Sequence, residues 1–405
     1  MTRGSDLNHC FLNFPTAPDC FISIVVPVRD EAATIRHLLE SFTAQVLPPG
    51  FGNTCFEILL LANNCTDDSV AIIKKFQSEN PNIPVRLAEV QLDPAQANVG
   101  YVRRLLMTEA FLRQRERGGV IMTTDGDTTV APDWIASNLL EIGRGADAVG
   151  GRILIPRIQL DSMHAFAREL HLADERYRLL TAEIEALIDE LPFDDGPRHH
   201  QHFNASFAVT ADAYERSGGM PCVEYLEDCA FYERLERADL RVRHSPDVVV
   251  YTSARPKGKS KFGLAYQIDE WRRLGTEGKA FFVEDAQSLI ERFTTRRDLR
   301  RLWNAFQETD EMPSRQALEV SSKAVYVPVV LLIDGLQSRK KFGEFYGDLM
   351  IAREQTGAAY HRYPPEPVEK AVRDLMIETA KRRGSRQPLP NVEPVILRSL
   401  AANVV

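Results

Sequence analysis

Four short apolar runs, each bounded by turn residues, constrain the fold of this chain more than any other feature. Residues 21–28 (FISIVVPV) form a β-branched run that ends in a turn, the pattern of a strand. Residues 31–42 follow with Ile35, Leu38, Leu39 and Phe42 at helical spacing. Residues 56–62 (FEILLLA) read as a second buried strand, 63–68 (NNCTDD) as a turn with capping residues, and a helix runs on through Phe76. A third strand over 85–90 leads to a helix over 97–117, stopped by Gly118 and Gly119. A fourth strand over 120–124 delivers the chain to Asp125. This alternation predicts parallel strands joined by crossover helices. Ligands of such sheets bind beyond the carboxyl ends of the strands. Three polar clusters fall there: residues 29–31, 63–68 and 125–127.

The rhythm changes after about residue 155. Residues 161–190 are charged and helix-prone, 199–210 return to a strand-like pattern, 227–238 read as a helix and 247–252 (DVVVYT) as a strand. Beyond Pro256 the pattern is mostly helical. The expected organisation is a lead-in over 1–20, an α/β domain over 21–256 with a mostly parallel central sheet, and a largely helical region over 257–405. A length of 405 residues suits two or three domains. The net charge of -8 argues against general nucleic-acid binding, which needs a basic surface. The most apolar stretch, 325–333 (VYVPVVLLI), contains Pro328 and is too short for a membrane span, so a buried strand or helix is expected. Peripheral contact with a membrane stays open. The first residues lack the apolar core of a secretory signal, and the six cysteines form no CxxC pair. Free thiols and a reducing, cytoplasmic setting are the expectation.

Asp125-Gly126-Asp127 closes the fourth strand. Two carboxylates around a glycine can both reach one divalent cation, and Mg²⁺ or Mn²⁺ binds carboxylates while leaving sites for substrate phosphates. Alone, the tripeptide reads as a turn with solvated aspartates; its place after a buried strand favours the metal. Pro27, Arg29, Asp30 and Glu31 end the first strand, where they suit a nucleoside, although Asp30 and Glu31 equally suit a helix start. Glu227 and Asp228 are paired acids at a helix start, downstream of Gly218 and Gly219: a dipole preference, or a base beside an acceptor hydroxyl. Arg255, Lys257, Lys259 and Lys261 form a basic loop with glycine and serine between, suited to a diphosphate or to solvent. His199, His200 and His202 lie near Asn204 and Ser206; surface histidines or an acceptor-side loop fit that spacing better than a second metal site.

Together, SIVVPVRDEAATI, FEILLLANNCTDDS, VIMTTDGDTTVAPDWI, FNASFAVTADAYERSGGMP and YLEDCAFYERLERADLRVRHSPDVVVYTSAR resemble, in order and spacing, the family 2 glycosyltransferases. The resemblance covers roughly residues 21–256 and implies a GT-A fold, a nucleotide-sugar donor, Mn²⁺ or Mg²⁺, and inversion at the anomeric carbon. By position, Asp125 and Asp127 resemble the DxD metal pair, Asp127 being the closer ligand. Asp228 resembles the base of the ED motif. Pro27, Arg29 and Glu31 resemble the nucleoside side, and Asn98, Gly100 and Arg103 the segment after the donor site. Gly218, Gly219 and Glu227 resemble the acceptor-side frame, where Asn204 is also placed. Asn63 stands where the family often has a base-reading aspartate. The sequence QIDEW (267–271) only weakly resembles the QxxRW of processive members, which implies transfer of a single sugar. Asn63, Arg103, Asp125, Arg255 and Lys257 complete the expected donor site. Two other classes compete: a retaining transferase making a small glycosidic solute, or a nucleotidyltransferase, on the same fold; and a non-catalytic sugar-nucleotide-binding protein. The acceptor has no signature in the sequence.

Overall fold

The computed structural model describes residues 11, 14–189, 191, 193–194, 196–255, 258–259 and 261–385. In chain order the elements are β1 (Ile22–Val28), α1 (Ile35–Thr43), β2 (Phe56–Asn63), α2 (Ser69–Glu79), β3 (Val85–Val90), α3 (Val99–Gln114), β4 (Val120–Thr124), β5 (Thr128–Val130) and α4 (Trp134–Gly143). Then come β6 (Ala148–Leu154), α5 (Arg157–Ser162), α6 (Ala165–Asp189), β7 (Ser206–Thr210), α7 (Ala211–Arg216), α8 (Glu227–Arg237) and β8 (Val242–Thr252). The remainder is α9 (Leu264–Thr276), β9 (Phe282–Val283), α10 (Ala286–Thr309), α11 (Arg315–Val325), α12 (Val329–Ser338), α13 (Phe342–Thr356), α14 (Ala358–Arg362), β10 (Glu366–Pro367) and α15 (Val368–Ser385).

The main sheet has eight strands in the order β3-β2-β1-β4-β7-β6-β8-β5. The first four are parallel, as the crossover helices require. β7 then runs antiparallel to both β4 and β6, while β6 and β8 pair in parallel across a shift between Gly151 and Arg152. The reversal at β7 matters for function. It brings the segment before Ser206 beside Asp125, because Ser206 faces Thr124. Alternation along β1 splits the core in two. Ile22, Ile24, Val26 and Val28 face α1, α2 and α4, whereas Val25 faces α3, α7 and α8.

A buried polar knot ties β2 to α3. Arg113 donates to both carboxylate oxygens of Glu57, at 2.7 and 2.6 Å, and Ser23 donates to Glu57 at 2.9 Å. Arg113 also donates to the carbonyls of Phe11 and Phe14. Part of the expected lead-in is therefore packed: Phe11 and Cys20 are fully buried.

The later helices form two further cores. One lies between α6, α10 and α15, the other among α10, α11, α12 and α13. They dock on the far end of α8, where Asp239 accepts the amides of Phe342 (2.8 Å) and Gly343 (2.7 Å). The apolar stretch around Pro328 splits between α11 and α12, which bend by 106° and bury Leu318, Val325, Leu332 and Leu336. No single helix among the described residues is long and apolar enough to cross a membrane. The cysteines among the described residues (Cys20, Cys55, Cys65, Cys222 and Cys229) are free thiols, and Cys10 lies outside them.

Replacing Glu57 tests the knot. Removing one partner of a buried, bidentate pair leaves the other charge uncompensated, at about 3–5 kcal/mol. Glu57→Ala is expected to lower unfolding stability by that order, read from a urea midpoint. A midpoint equal to wild type would show that the pair is solvated.

Candidate functional site

The strand ends build the site. β1 ends at Val28, and the chain turns through Asp30, held in the left-handed region at φ 53°. Such a conformation is uncommon for a residue with a side chain and needs local hydrogen bonding. The Asp30 carboxylate supplies it, accepting the amides of Thr66 (2.6 Å) and Asp67 (3.2 Å) from the loop after β2. Asp67 in turn accepts the Ala32 amide at 2.9 Å, and Ser69 accepts the Glu31 amide at 2.7 Å. Asp30 is thus a clamp between two strand ends, not the cap of α1, which starts later at Ile35. Thr34 donates to the Glu31 carboxylate (3.0 Å) and to the Gly126 carbonyl (3.1 Å), fixing Glu31 beside the loop after β4.

Two charged groups share this floor. In the first, Arg255 spans Glu31 (2.9 Å) and Asp127 (3.1 Å), and Lys259 joins Glu31 at 2.7 Å. Burial, with Asp125 adding to it, pushes the Asp127 carboxyl up to about 6; Arg255 opposes the shift and Glu31 reinforces it. In the second, Arg103 of α3 is 2% exposed, donates to Thr123 and Asp125, and lies 3.3 Å from Glu227 at the start of α8. Burial alone would push its guanidinium down, but Asp125, Glu227 and Asp228 hold it up. Asp228 accepts its neighbour's amide, Cys229, at 2.8 Å. Burial first, and then Glu227, raise its carboxyl, which the Cys229 amide and Arg103 only partly offset.

The loop before α8 is held by a close backbone approach. Gly100, in the first turn of α3, would place a Cβ 2.0 Å from the Val223 carbonyl oxygen. Leu226 then takes a left-handed conformation (φ 55°, ψ 38°) without being glycine. A strained residue immediately before Glu227 and Asp228 shows that this turn is imposed by its surroundings.

The structure therefore gathers Glu31, Asp127 and Arg255 in one group, and Asp125, Arg103, Glu227 and Asp228 in another. Pro27 lies at the floor, its carbonyl 3.4 Å from a Cβ built on Gly126. Asn63 is buried at the end of β2. Arg29 turns away to the Ala97 carbonyl (2.7 Å), next to the α3 cap Asn98. Asn204 is 3% exposed and close to Asp125 through the β4–β7 pairing; neither of its side-chain polar atoms has a partner among the described residues. Gly218 and Gly219 lie elsewhere: both carbonyls accept Arg234 at 2.9 Å, in a small pocket with Arg104 and Tyr214. Lys257 lies outside the described residues.

The histidines are not surface groups. His199 is buried and His202 stacks on Tyr232 at 4.0 Å. Burial holds His200 at about 2 and His202 at about 4, so both are neutral wall residues. They border a cavity of about 1470 Å³ between α6, α8, α10 and α13. Two of its arginines are ion-paired, Arg198 to Glu185 (2.8 Å) and Arg300 to Asp189 (3.0 Å), and none of the acids gathered at the strand ends lines it.

No group of three or more His, Cys, Asp or Glu among the described residues is arranged to hold a metal unaided. Mg²⁺ and Mn²⁺ need only one or two carboxylates and complete their shell with water and substrate phosphates. Asp127, with Glu31 behind it, offers such a set, and two cations already balance its charge.

Acidic and cationic side chains thus gather beyond the carboxyl ends of the parallel strands. Residues 23–186, about two fifths of the chain, match the model of glycosyl transferase family 2. The glycosyltransferase AglE of Haloferax volcanii is 25% identical over 135 residues, which is 33% of this chain and 39% of that relative's length. Among solved structures, the mannosyltransferase PcManGT of Pyrobaculum calidifontis with GDP-Man and Mn²⁺ aligns at 15% identity and TM-score 0.42, over 93% of this chain and 91% of that one. S. aureus TarS 1–349 with UDP-GlcNAc aligns at 14% identity and TM-score 0.40, over 83% and 92%.

Gly100→Ala should separate stability from turnover. The Val223 carbonyl must move to admit the methyl group, at about 1–3 kcal/mol for overpacking. The expected result is a modest loss of stability by thermal melt and a larger loss of turnover, because the displaced loop carries Glu227 and Asp228. Wild-type turnover would show that the loop position is immaterial.

Proposed function

We propose that this protein is a metal-dependent, inverting glycosyltransferase that moves one sugar from a nucleoside diphosphate donor to an acceptor hydroxyl. One observation carries the reading: the buried Arg103 guanidinium pairs with Asp125 of the turn after β4 and with Glu227 at the start of α8, the neighbour of Asp228, so a leaving-group side and a base would lie on either side of one side chain.

Asp127 would hold Mn²⁺ or Mg²⁺, with Asp125 fixed behind it by Arg103. When bound, the ion supplies charge neutralisation for the departing diphosphate. Arg255 and Lys259 now pair with carboxylates, and both are long enough to turn toward phosphate oxygens instead. Glu31, Asn63 and Pro27 would line the nucleoside side, and Asn204, whose amide has no partner among the described residues, would receive sugar hydroxyls. Asp228 would take the proton of the acceptor hydroxyl as that oxygen attacks the anomeric carbon and the bond to the diphosphate breaks. Its raised proton affinity suits a base, since transfer to it is then more favourable in the transition state.

Two substitutions test the reading together. Asp228→Asn is expected to keep titratable binding of a nucleoside diphosphate in Mn²⁺ and to lose about 10²- to 10⁴-fold in turnover. Asp127→Ala should lose the metal-dependent binding as well. NMR of the product should show an anomeric configuration opposite to that of the donor; retention with a near-normal Asp228→Asn rate would support the retaining alternative.

Metal binding should also depend on pH. A carboxyl raised to about 6 is protonated below that pH and ionised above it, so Mn²⁺ affinity should be constant above about pH 7 and fall as pH drops through 6. Calorimetric Mn²⁺ titrations with nucleoside diphosphate at pH 7.5 and about pH 5 read this directly; equal affinities would refute the role of Asp127.

A further inference from the structure

Tyr225 and Leu226, the two residues before the acid pair of α8, adjoin a group of exposed apolar side chains. Leu226 is 54% exposed, Phe262 41% and Tyr266 49%. The Tyr225 ring meets Phe262 edge to face at 5.5 Å, and Phe262 meets Tyr266 in the same way at 5.8 Å. Tyr225 leads into α8, whereas Phe262 and Tyr266 flank the start of α9. Two separate parts of the chain thus bring three rings together in water. Scattered exposed apolar residues need no explanation, but a contiguous aromatic patch marks a contact surface.

Its position narrows the purpose. The segment that carries Phe262 begins at Arg255 and Lys259, which are ion-paired to Asp127 and Glu31. Along the chain, Phe262 thus follows the ion-paired Lys259 by three residues, and Leu226 precedes Asp228 by two. Trp271, in the QIDEW sequence, does not join the patch: this ring is buried against His171 and Phe281 and anchors α9.

We infer that Tyr225, Leu226, Phe262 and Tyr266 form the platform on which the acceptor lies, and that the acceptor is a carbohydrate presenting a pyranose ring to these aromatic residues. This rests on the reading of Asp228 as the base. A pyranose has an apolar face of C–H groups and a polar edge of hydroxyls. The first suits the electron-rich face of an aromatic ring, and the second suits a charged surround. That surround is present: the Lys261 ammonium lies 5.8 Å from the Tyr225 ring centre and 5.6 Å from that of Phe262. An acyl chain would have to strip water from this cation without giving it a partner, which is costly. A sugar hydroxyl accepts a hydrogen bond from it. Tyr225 and Leu226 lie three and two residues before Asp228 in the chain, which puts the platform on the approach to the proposed base.

The probes are methyl α- and β-glycosides of glucose, mannose, galactose and N-acetylglucosamine, mixed with the full chain in saturation-transfer NMR. At least one glycoside should receive saturation at its ring protons. The effect should fall at least fivefold in Phe262→Ala and in Tyr266→Ala, and persist in Tyr266→Phe, which keeps the ring. Thermal melts should be unchanged, since both residues are exposed. Absence of transfer to every glycoside, or transfer undiminished in both alanine variants, would overturn the proposal. So would sedimentation of the wild type, but not the variants, with phosphatidylcholine–phosphatidylglycerol vesicles, which would assign the patch to a lipid surface. A nucleoside diphosphate titration in Mn²⁺ on the same samples tests the donor site separately: its failure with glycoside binding intact would count against the catalytic reading and not against the platform.

Discussion

A guanidinium buried among carboxylates organises this molecule. Arg103 cannot sit in the protein interior without compensation, and Asp125, Glu227 and Asp228 provide it from two distant elements. The pairing works in both directions. It pairs Asp125 at the end of β4, and it fixes the start of α8 against α3. Any shift of α8 would leave an uncompensated charge, so the distance between the two acid groups is set by one side chain whose own position is set by burial.

The sheet makes this possible through its reversal. With β1 to β4 parallel, only their carboxyl ends face the ligand side. β7 enters antiparallel, so its amino end reaches the same side and brings Asn204 there. The C-terminal helices contribute from behind. They hold the chain just past α8 through Asp239, at the end opposite the acid pair.

Much of this architecture is legible in the sequence where periodicity is clean. β1, β2, β3 and β4 and their helices follow from apolar spacing, and the three polar clusters fall at strand ends as expected. The middle of the chain is less readable. β6 (AVGGRIL) contains two glycines, which weaken a strand pattern; at Gly150 a Cβ would lie 2.5 Å from the Gln201 carbonyl, so the neighbouring backbone demands the interruption. β8 starts at Val242, ahead of the apolar run at 247, because RHSPD reads as a turn while the structure continues it as a strand beside β6. At the site, residue types were readable but partnerships were not. Asp30 has the composition of a helix cap, and only the folded chain shows its carboxylate on the amides of Thr66 and Asp67. The Arg103–Glu227 contact joins segments with no local signal to relate them. Gly218 and Gly219 illustrate the converse: their sequence suggests a shaped site loop, and their carbonyls are taken by Arg234.

The ion pairs of Arg255 and Lys259 with Glu31 and Asp127 have a consequence for selectivity. A cation tethered to the chain is present at a high local concentration whatever the solution contains. Under the proposed function, a free divalent ion alone must displace these tethered charges and leave them without partners. A diphosphate arriving with the ion offers them new partners at the same moment. The pocket then acts as a coincidence detector, closed to either solute by itself and receptive to the two together.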